Sequence, residues 1–207
     1  MQYPALLELR PWLLSTALLG ALGCNDNARR AADAPADAED LDIELLDLDG
    51  RAVDLRKSHP GRVVVAIFTR SDCPVSNRYA PEVRALYERF EPQGVAFYLI
   101  FVDPREQPDA IRAHLAEYDY TCPALRDPQH SLVAATGAKV TPEAVVFDNE
   151  RNVTYRGRID DLYADLGQAR PSPTRHDLAD AIEATLAGRS VVEPVTTAVG
   201  CKIEDLK

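Results

Sequence analysis

The sequence has few of the residues that mark several common protein classes. It contains four cysteines, and no two lie close enough for a Cys-x-x-Cys redox pair or a zinc knuckle. A single methionine argues against a methionine-rich copper site. The 33 acidic residues outnumber the 23 basic ones, so the formal net charge is −10. Nucleic-acid binding is excluded, because phosphate contacts need the opposite charge.

Long apolar runs are also scarce near the N-terminus. The apolar segment at 11–22 is shorter than the roughly 20 residues that a membrane-spanning helix needs, and it fits the hydrophobic region of a signal peptide. The following Gly23-Cys24 resembles a bacterial lipobox, in which Cys24 is the lipidated first residue of the mature chain. Simple secretion and a short membrane anchor remain open. All three place the domain outside the cytoplasm.

The rest of the chain divides by composition into three parts. Residues 25–40 are rich in Ala and Asp without apolar periodicity, which is typical of a flexible linker between the 1–24 signal segment and a folded domain. Residues 41–190 carry the patterns of regular secondary structure. Residues 191–207 form a C-terminal tail that carries Cys201.

The folded part alternates strand and helix patterns. Asp49-Gly50 predicts a hairpin turn, and the unbroken apolar runs predict strands buried on both faces. The predicted strands are 43–48, 52–55, 62–69, 94–102, 144–148 and 153–156, and the predicted helices are 74–91 with a kink at Pro81, 106–117, 128–137 and 174–187. This order predicts an α/β fold with a central mixed sheet and helices on both faces.

Cys73 is the candidate nucleophile, because it stands where a buried strand turns into a helix. It would occupy the N-cap, with Pro74 at the first helical position, where no N–H is needed. Free amides there, with Arg70 and Arg78 nearby, favour the thiolate, which is the reactive form of cysteine. The alternative is that Cys73 is a buried small hydrophobic residue.

Two segments resemble a known family. The run FTRSDCPVSNRYAPEV (68–83) is similar to the active-site segment of thioredoxin-like proteins, and Pro142 matches the cis-proline that packs against their active cysteine. Together with the closing hairpin, the resemblance covers residues 43–190. It is closest to the redoxin branch, which includes the alkyl hydroperoxide reductase and thiol-specific antioxidant (AhpC/TSA) proteins. The final GCKI (200–203) resembles a poorly characterised bacterial lipoprotein-like subgroup of that branch.

The resemblance is incomplete at the residues that decide the reaction. Ser76 replaces the second cysteine of the thioredoxin motif. Thr69 lies four residues before Cys73, whereas peroxiredoxins carry the threonine three before. The resemblance therefore implies a thioredoxin-like fold with an N-terminal β-hairpin and leaves open which reaction Cys73 performs.

The resemblance implies a thiol oxidoreductase that reduces a peroxide or exchanges protein disulfides and is regenerated by an unidentified reductant, and the N-terminal segment predicts that it acts outside the cytoplasm. Thr69 and Arg78 are the groups expected to polarise a peroxide oxygen. Cys201, on its tail, is the favoured resolving partner of Cys73, with Cys122 as the alternative.

Two other functions remain open: a copper-binding assembly protein of the same fold, and a non-catalytic envelope scaffold. No cofactor and no metal site is predicted.

Overall fold

The computed structural model describes residue 43 and residues 45–206. A central seven-stranded mixed sheet has its helices packed on both faces, as predicted for a thioredoxin-like fold. The strands are β1 Leu45–Leu46, β2 Ala52–Val53, β3 Val64–Thr69, β4 Ala96–Phe101, β5 Ala124–Arg126, β6 Val140–Thr141, β7 Glu143–Phe147, β8 Val153–Gly157, β9 Tyr163–Asp165, β10 Gln168–Ala169 and β11 Cys201–Lys202. The helices are α1 Leu55–Ser58, α2 Pro74–Arg78, α3 Ala80–Phe90, α4 Pro108–Glu117, α5 Ser131–Thr136 and α6 Asp177–Leu186, with a 3₁₀ turn at Glu91–Gln93.

The strand order in the main sheet is β2-β1-β5-β4-β3-β7-β8. Strands β3, β4 and β5 run parallel, while β7 and β8 add antiparallel strands at one side and the hairpin β1–β2 at the other. The carboxyl ends of the parallel strands meet at one edge of the sheet, and Cys73 follows the carboxyl end of β3. The topology therefore places the candidate nucleophile at an edge where loops converge.

Alternate residues of β3 serve two separate cores, as expected for a strand buried on both faces. Val65 and Ile67 pack into the core formed with α3, α4 and α6, while Ala66 and Phe68 pack into the core formed with α5. All six residues of β3 are buried. The apolar run at 62–69 was sufficient to predict this strand.

The predicted helix at 74–91 is divided rather than kinked. Helix α2 ends at Arg78, Tyr79 caps it, and α3 begins at Ala80. Because Pro81 has no N–H to donate to the carbonyl of residue 77, the helical hydrogen-bond pattern is interrupted in the turn before the proline. The break leaves α2 as a single turn that carries Cys73 at its start.

The sequence patterns missed β5, which lies between α4 and α5. This strand has only three residues, too few for a periodic pattern, and it is defined by its partners: it runs parallel to β4 and antiparallel to β1. Its insertion corrects the predicted element order, which ran directly from one helix to the next.

The C-terminal tail is packed against the domain. Val195 forms a bridge with Arg156 of the edge strand β8, and β11 then pairs with β6. Ile203, two residues past Cys201, is buried in the core under α5.

No helix within the described residues has the length and hydrophobicity to cross a bilayer. The predicted signal segment with Cys24, and the linker at 25–40, lie outside the described residues.

Candidate functional site

Cys73 lies at the N-cap of α2, with no exposed surface. Its backbone is extended, with φ −88° and ψ 108°, and its N–H donates to the Arg70 carbonyl at 3.2 Å, which closes the turn after β3. Pro74 occupies the start of the helix. The strand–turn–helix placement predicted from sequence is the one observed.

Three neighbours surround the Cys73 sulfur. The Ser76 N–H donates to Cys73 Sγ at 3.5 Å, and the Cys73 thiol donates to the Thr141 carbonyl at 3.0 Å. The third neighbour is the thiol of Cys201, which lies within hydrogen-bonding reach of a Cys73 thiolate. The sulfur is therefore held between the start of α2, strand β6 and the C-terminal tail.

These contacts determine the acidity of Cys73. Burial alone would raise the pKa of this thiol, but hydrogen bonds from Cys201, Ser76 and Thr141 favour the thiolate, and the net pKa lies below the ordinary value. The buried Ser76 hydroxyl has no hydrogen-bond partner in the structure, so it can turn toward a Cys73 thiolate. Ser76 therefore retains a role at the position of thioredoxin's second cysteine.

Cys201 reaches the site on a two-residue strand. In β11, Cys201 is paired with Thr141 and Lys202 with Val140, and the Ile203 N–H donates to the Lys139 carbonyl at 2.9 Å. Thr141 therefore contacts both cysteines, one through its carbonyl and one through strand pairing.

Gly200 explains how the tail comes so close. A Cβ built on Gly200 would lie 2.1 Å from the Thr141 carbonyl oxygen and 3.2 Å from the nitrogen of Pro142. Any side chain at this position would collide with the β6 backbone. A glycine directly before Cys201 is the one sequence signal that could have predicted this docking.

The acidity of Cys201 is shifted in the opposite direction from that of Cys73. Burial, followed by the hydrogen bond and charge of Cys73, raises the pKa of Cys201 to about 11, although the nearby Arg70 guanidinium acts to lower it. Cys73 is therefore the more acidic of the two thiols.

Arg70 is paired with carboxylates rather than free beside Cys73. Its guanidinium contacts the Asp72 carboxylate at 2.7 Å and that of Asp103 at 3.9 Å, and its charge acts on Cys201. The sequence predicts this charge beside Cys73, whereas in the structure it acts on Cys201.

Two polar side chains hold the loop before Cys73. The Glu106 carboxylate accepts from the Ser71 N–H at 2.8 Å, and Asn77 Nδ2 donates to the Ser71 carbonyl at 3.0 Å. Burial raises the pKa of Glu106 above its usual range. Glu106 lies 35 residues away in sequence, so no local pattern indicated this contact.

The remaining predicted site residues have different surroundings. Thr69 is buried at the end of β3, four residues before the nucleophile. Pro142 follows Thr141 through a cis peptide bond, as the resemblance implied. Arg78 is exposed at the last residue of α2. The structure therefore brings Cys73, Cys201 and the Thr141-Pro142 segment together and leaves Arg78 at the surface.

Cys122 lies apart from the other two described cysteines. It is buried near Tyr87 and Tyr120, and burial raises its pKa to about 12. By strand register, Cys122 lies two strands away from Thr69 and four residues, or about 13 Å, further from the carboxyl end of the sheet. A disulfide requires Cα atoms within about 7 Å, so Cys122 is not positioned to pair with Cys73.

Among the described residues, one group of three side chains has the geometry of a potential metal site. Donor atoms of Glu82, Asp160 and His176 lie within 4.8 Å of one another. The Asp160 carboxylate, however, already accepts from the Tyr79 hydroxyl at 2.6 Å and the Leu162 N–H at 2.8 Å. These bonds give Asp160 a structural role in joining α2 to the segment after β8.

Solved structures similar to this chain include two of uncharacterised proteins. One is from Geobacillus kaustophilus, with 26% identity and a TM-score of 0.69 over 79% of this chain and 88% of the other. The second, a hypothetical protein from Sinorhizobium meliloti, has 27% identity and a TM-score of 0.66 over 77% and 88%.

A more distant match is a thiol:disulfide interchange protein of the thioredoxin family from Chlorobium tepidum. It has 17% identity and a TM-score of 0.51 over 69% of this chain and 92% of the other, and it shows the shared fold. None of the curated proteins is significantly similar to the chain.

The model of the AhpC/TSA family matches residues 36–156, which is more than half of the chain and includes the strand–turn–helix around Cys73. The match supports a thiol oxidoreductase. With this fold and this match, the chain belongs to the AhpC/TSA family.

Proposed function

We propose that the chain is a two-cysteine peroxide reductase in which Cys73 attacks the peroxide and Cys201 resolves the product. The observation that supports this most directly is the position of Cys201. It is paired with Thr141, whose carbonyl binds the Cys73 sulfur. Ser76 stands where thioredoxin has its second cysteine, and we propose that Cys201 on the tail supplies the second thiol instead.

In the first step the Cys73 thiolate attacks one oxygen of the peroxide, the O–O bond breaks, and the leaving oxygen takes up a proton. For hydrogen peroxide the products are a sulfenic acid on Cys73 and one molecule of water. The Cys201 thiol and the Ser76 hydroxyl stabilise the thiolate in the resting state. The buried Thr69, at the end of β3, lies on the strand that leads to the nucleophile.

In the second step the Cys201 sulfur attacks the sulfenic sulfur of Cys73, and a second water molecule leaves. Cys201 must lose its proton to do this. The negative charge of Cys73, which raises the pKa of Cys201 in the reduced protein, has gone once Cys73 is a neutral sulfenic acid. Burial still raises the pKa of Cys201, but the hydrogen bond and charge of Cys73 no longer do and Arg70 acts to lower it, so the resolving thiol becomes more acidic after the nucleophile has reacted.

Burial favours a small oxidant over a protein disulfide. Cys73 has no exposed surface, and the Cys201 strand covers it. A peroxide needs room for two oxygen atoms, whereas a protein disulfide must bring its own backbone close to the sulfur. Exchange with a protein disulfide would therefore require the tail to leave first.

The test is disulfide mapping after the reduced protein meets one equivalent of hydrogen peroxide. Samples are quenched with acid, alkylated in denaturant and analysed by peptide mass spectrometry. We expect a Cys73–Cys201 disulfide within seconds and a fully alkylated Cys122. The matched control is Cys122→Ala, which should form the same disulfide at the same rate.

Two further variants separate the steps. Cys201→Ser should stop at a sulfenic acid on Cys73, which dimedone labels, and Cys73→Ser should leave Cys201 reduced. If Cys73 stays reduced for minutes, the proposed function is wrong. A disulfide that forms with a protein disulfide but not with peroxide would instead identify an exchange enzyme.

We also propose that the protein acts outside the cytoplasm, anchored through a lipid on Cys24. The support is the apolar segment at 11–22 followed by Gly23-Cys24. Expression of the full chain in a Gram-negative host tests this. We expect membrane-associated protein with the mass of a lipidated Cys24, and release from the membrane in Cys24→Ala. Equal recovery of both forms from the cytoplasm would contradict it.

A further inference from the structure

Two carboxylates and one imidazole meet outside the Cys73 site, each carried by a different element. Glu82 lies in the first turn of α3, Asp160 follows β8, and His176 is the N-cap of α6. One donor atom from each side chain lies within 4.8 Å of the other two. The three residues are far apart in sequence, so no local spacing indicated this group.

Asp160 is held in place by only one of its two carboxylate oxygens. The side chain is 3% exposed. The Tyr79 hydroxyl and the Leu162 N–H both donate to Asp160 Oδ1, at 2.6 Å and 2.8 Å. Within residues 45–206, Oδ2 accepts no hydrogen bond. Ligating carboxylates are commonly oriented by such outer hydrogen bonds, so Asp160 is fixed through one oxygen and available through the other.

The charges around this group are not balanced by a basic side chain. The two nearest arginines in sequence, Arg158 and Arg175, both pair with Asp177, at 2.8 Å and 2.9 Å. In the part of the chain that the structure describes, neither Glu82 nor Asp160 forms an ion pair. Burying a carboxylate beside a second one is unfavourable unless a cation joins them. A divalent cation would balance both charges.

The backbone holds two of the three donors in a fixed relation. The Leu178 N–H donates to the Ile159 carbonyl at 3.0 Å, and the Asp161 N–H donates to the Arg175 carbonyl at 3.3 Å. The Arg175 N–H in turn donates to the Asp161 carboxylate at 3.0 Å. These bonds join the residues on either side of Asp160 to those on either side of the α6 N-cap.

The third donor adds an imidazole that the helix does not use. His176 is exposed, and its side chain makes no capping hydrogen bond to α6. Donor atoms about 2.1 Å from an ion lie roughly 3–4 Å from one another, so the exposed His176 and the half-buried Glu82 need to close on Asp160 by about 1 Å. Both are surface side chains that can rotate.

We propose that Glu82, Asp160 and His176 bind one divalent transition-metal ion through two carboxylate oxygens and one imidazole nitrogen. This donor set suits manganese and zinc, and with three protein ligands water completes the coordination. The ion joins the start of α3, the segment after β8 and the start of α6. The site is independent of the peroxide chemistry of Cys73.

The test is a titration of the full chain with Mn²⁺, in which the electron paramagnetic resonance signal of free Mn²⁺ measures the unbound ion. Mn²⁺ is the probe because it prefers oxygen and nitrogen donors, whereas softer ions would also bind the cysteines. We expect one ion per chain. His176→Ala and Glu82→Gln should each weaken binding at least tenfold, and both change side chains that are not fully buried, so the fold is expected to persist.

The matched control is Glu88→Gln, an exposed carboxylate further along α3, which should bind Mn²⁺ with the wild-type affinity. Every variant keeps the acidic residues of 25–40, so weak binding there is common to all samples. If the wild type shows no saturable binding, or if His176→Ala and Glu82→Gln bind as the wild type does, the inference is overturned.

A second measurement separates a built site from loose binding to an acidic surface. Tyr79→Phe removes the hydroxyl that orients Asp160 and touches none of the proposed ligands, and it should weaken Mn²⁺ binding about tenfold. Saturating Mn²⁺ should raise the urea midpoint of the wild type and of Glu88→Gln, because the ion binds the folded chain, and should leave that of His176→Ala unchanged. An equal rise in all three proteins would contradict the site.

Discussion

Replacing Gly200 with alanine is expected to separate the two cysteines without touching either. The added Cβ would lie 2.1 Å from the Thr141 carbonyl oxygen and 2.7 Å from its carbonyl carbon. Ordinary contact begins near 3.4 Å, so β11 must retreat from β6 by about 1.3 Å. The atoms in the way are backbone atoms of a paired strand, so the tail moves and carries Cys201 with it.

The magnitude follows from this displacement. Forcing an extra methyl into a packed contact costs typically about 1–3 kcal/mol, so the free energy of unfolding should fall by that amount. A misplacement of about 1 Å at reacting atoms can slow a step roughly 100-fold, and we expect formation of the Cys73–Cys201 disulfide to slow between ten- and 100-fold. The sulfenic acid on Cys73 should accumulate in proportion.

The assay is rapid mixing with hydrogen peroxide, followed by acid quench and mapping, together with urea unfolding of the same sample. Thr197→Ala is the matched control, because Thr197 is exposed on the same tail and its truncation should change neither the rate nor the urea midpoint. If Gly200→Ala forms the Cys73–Cys201 disulfide at the wild-type rate and has the wild-type urea midpoint, the pairing of β11 with β6 does not position Cys201 for the reaction.

Substitutions at three further positions test the site and the core. Ser76→Ala should raise the pKa of Cys73 and shift the pH dependence of its oxidation upward, whereas Ser76→Cys should offer Cys73 a nearer thiol and divert its disulfide to the helix, as peptide mapping would show. Glu106→Ala should cost about 1–3 kcal/mol in urea unfolding, because the Ser71 N–H loses its acceptor. Folding raises the pKa of Glu106, so its protonated side chain stabilises the folded state at low pH, and this contribution is lost as the pH rises. The stability of Glu106→Gln relative to the wild type should therefore be higher at pH 7 than at pH 4. The pKa of Cys122 is raised to about 12, so its contribution to stability should be lost as the pH rises from about 9 toward that value, and Cys122→Ala should remove this loss in urea unfolding at alkaline pH.

Sequence patterns predicted the parts of this fold that depend on local chemistry. The apolar runs predicted β3 and β4, and Asp49-Gly50 predicted the hairpin between β1 and β2. Cys73 at the start of a helix followed from a buried strand and the proline after it. In each case the residues that define the element are adjacent in sequence.

The parts that escaped prediction depend on contacts between distant residues. β5 and β11 have three and two residues, so no periodicity identifies them, and each is a strand because another strand lies beside it. The loop before Cys73 is held by Glu106 across 35 residues. For the same reason the choice between Cys201 and Cys122 as partner stayed open: sequence spacing does not say which strand a tail joins.

Ser76 stands where thioredoxin has its second cysteine, and this difference changes what determines the distance between the two thiols. A thiol one turn into the helix would share its rigid frame with Cys73, whereas Cys201 is held by two paired residues and one buried anchor, Ile203. A strand of two residues separates from its partner at a small cost in free energy, so the distance between the thiols depends on whether β11 is paired with β6. The pair is brought together by Gly200 and the β6 edge rather than by α2. A change in tail docking is therefore expected to alter the proposed resolution step while leaving the acidity of Cys73 partly intact through Ser76 and Thr141.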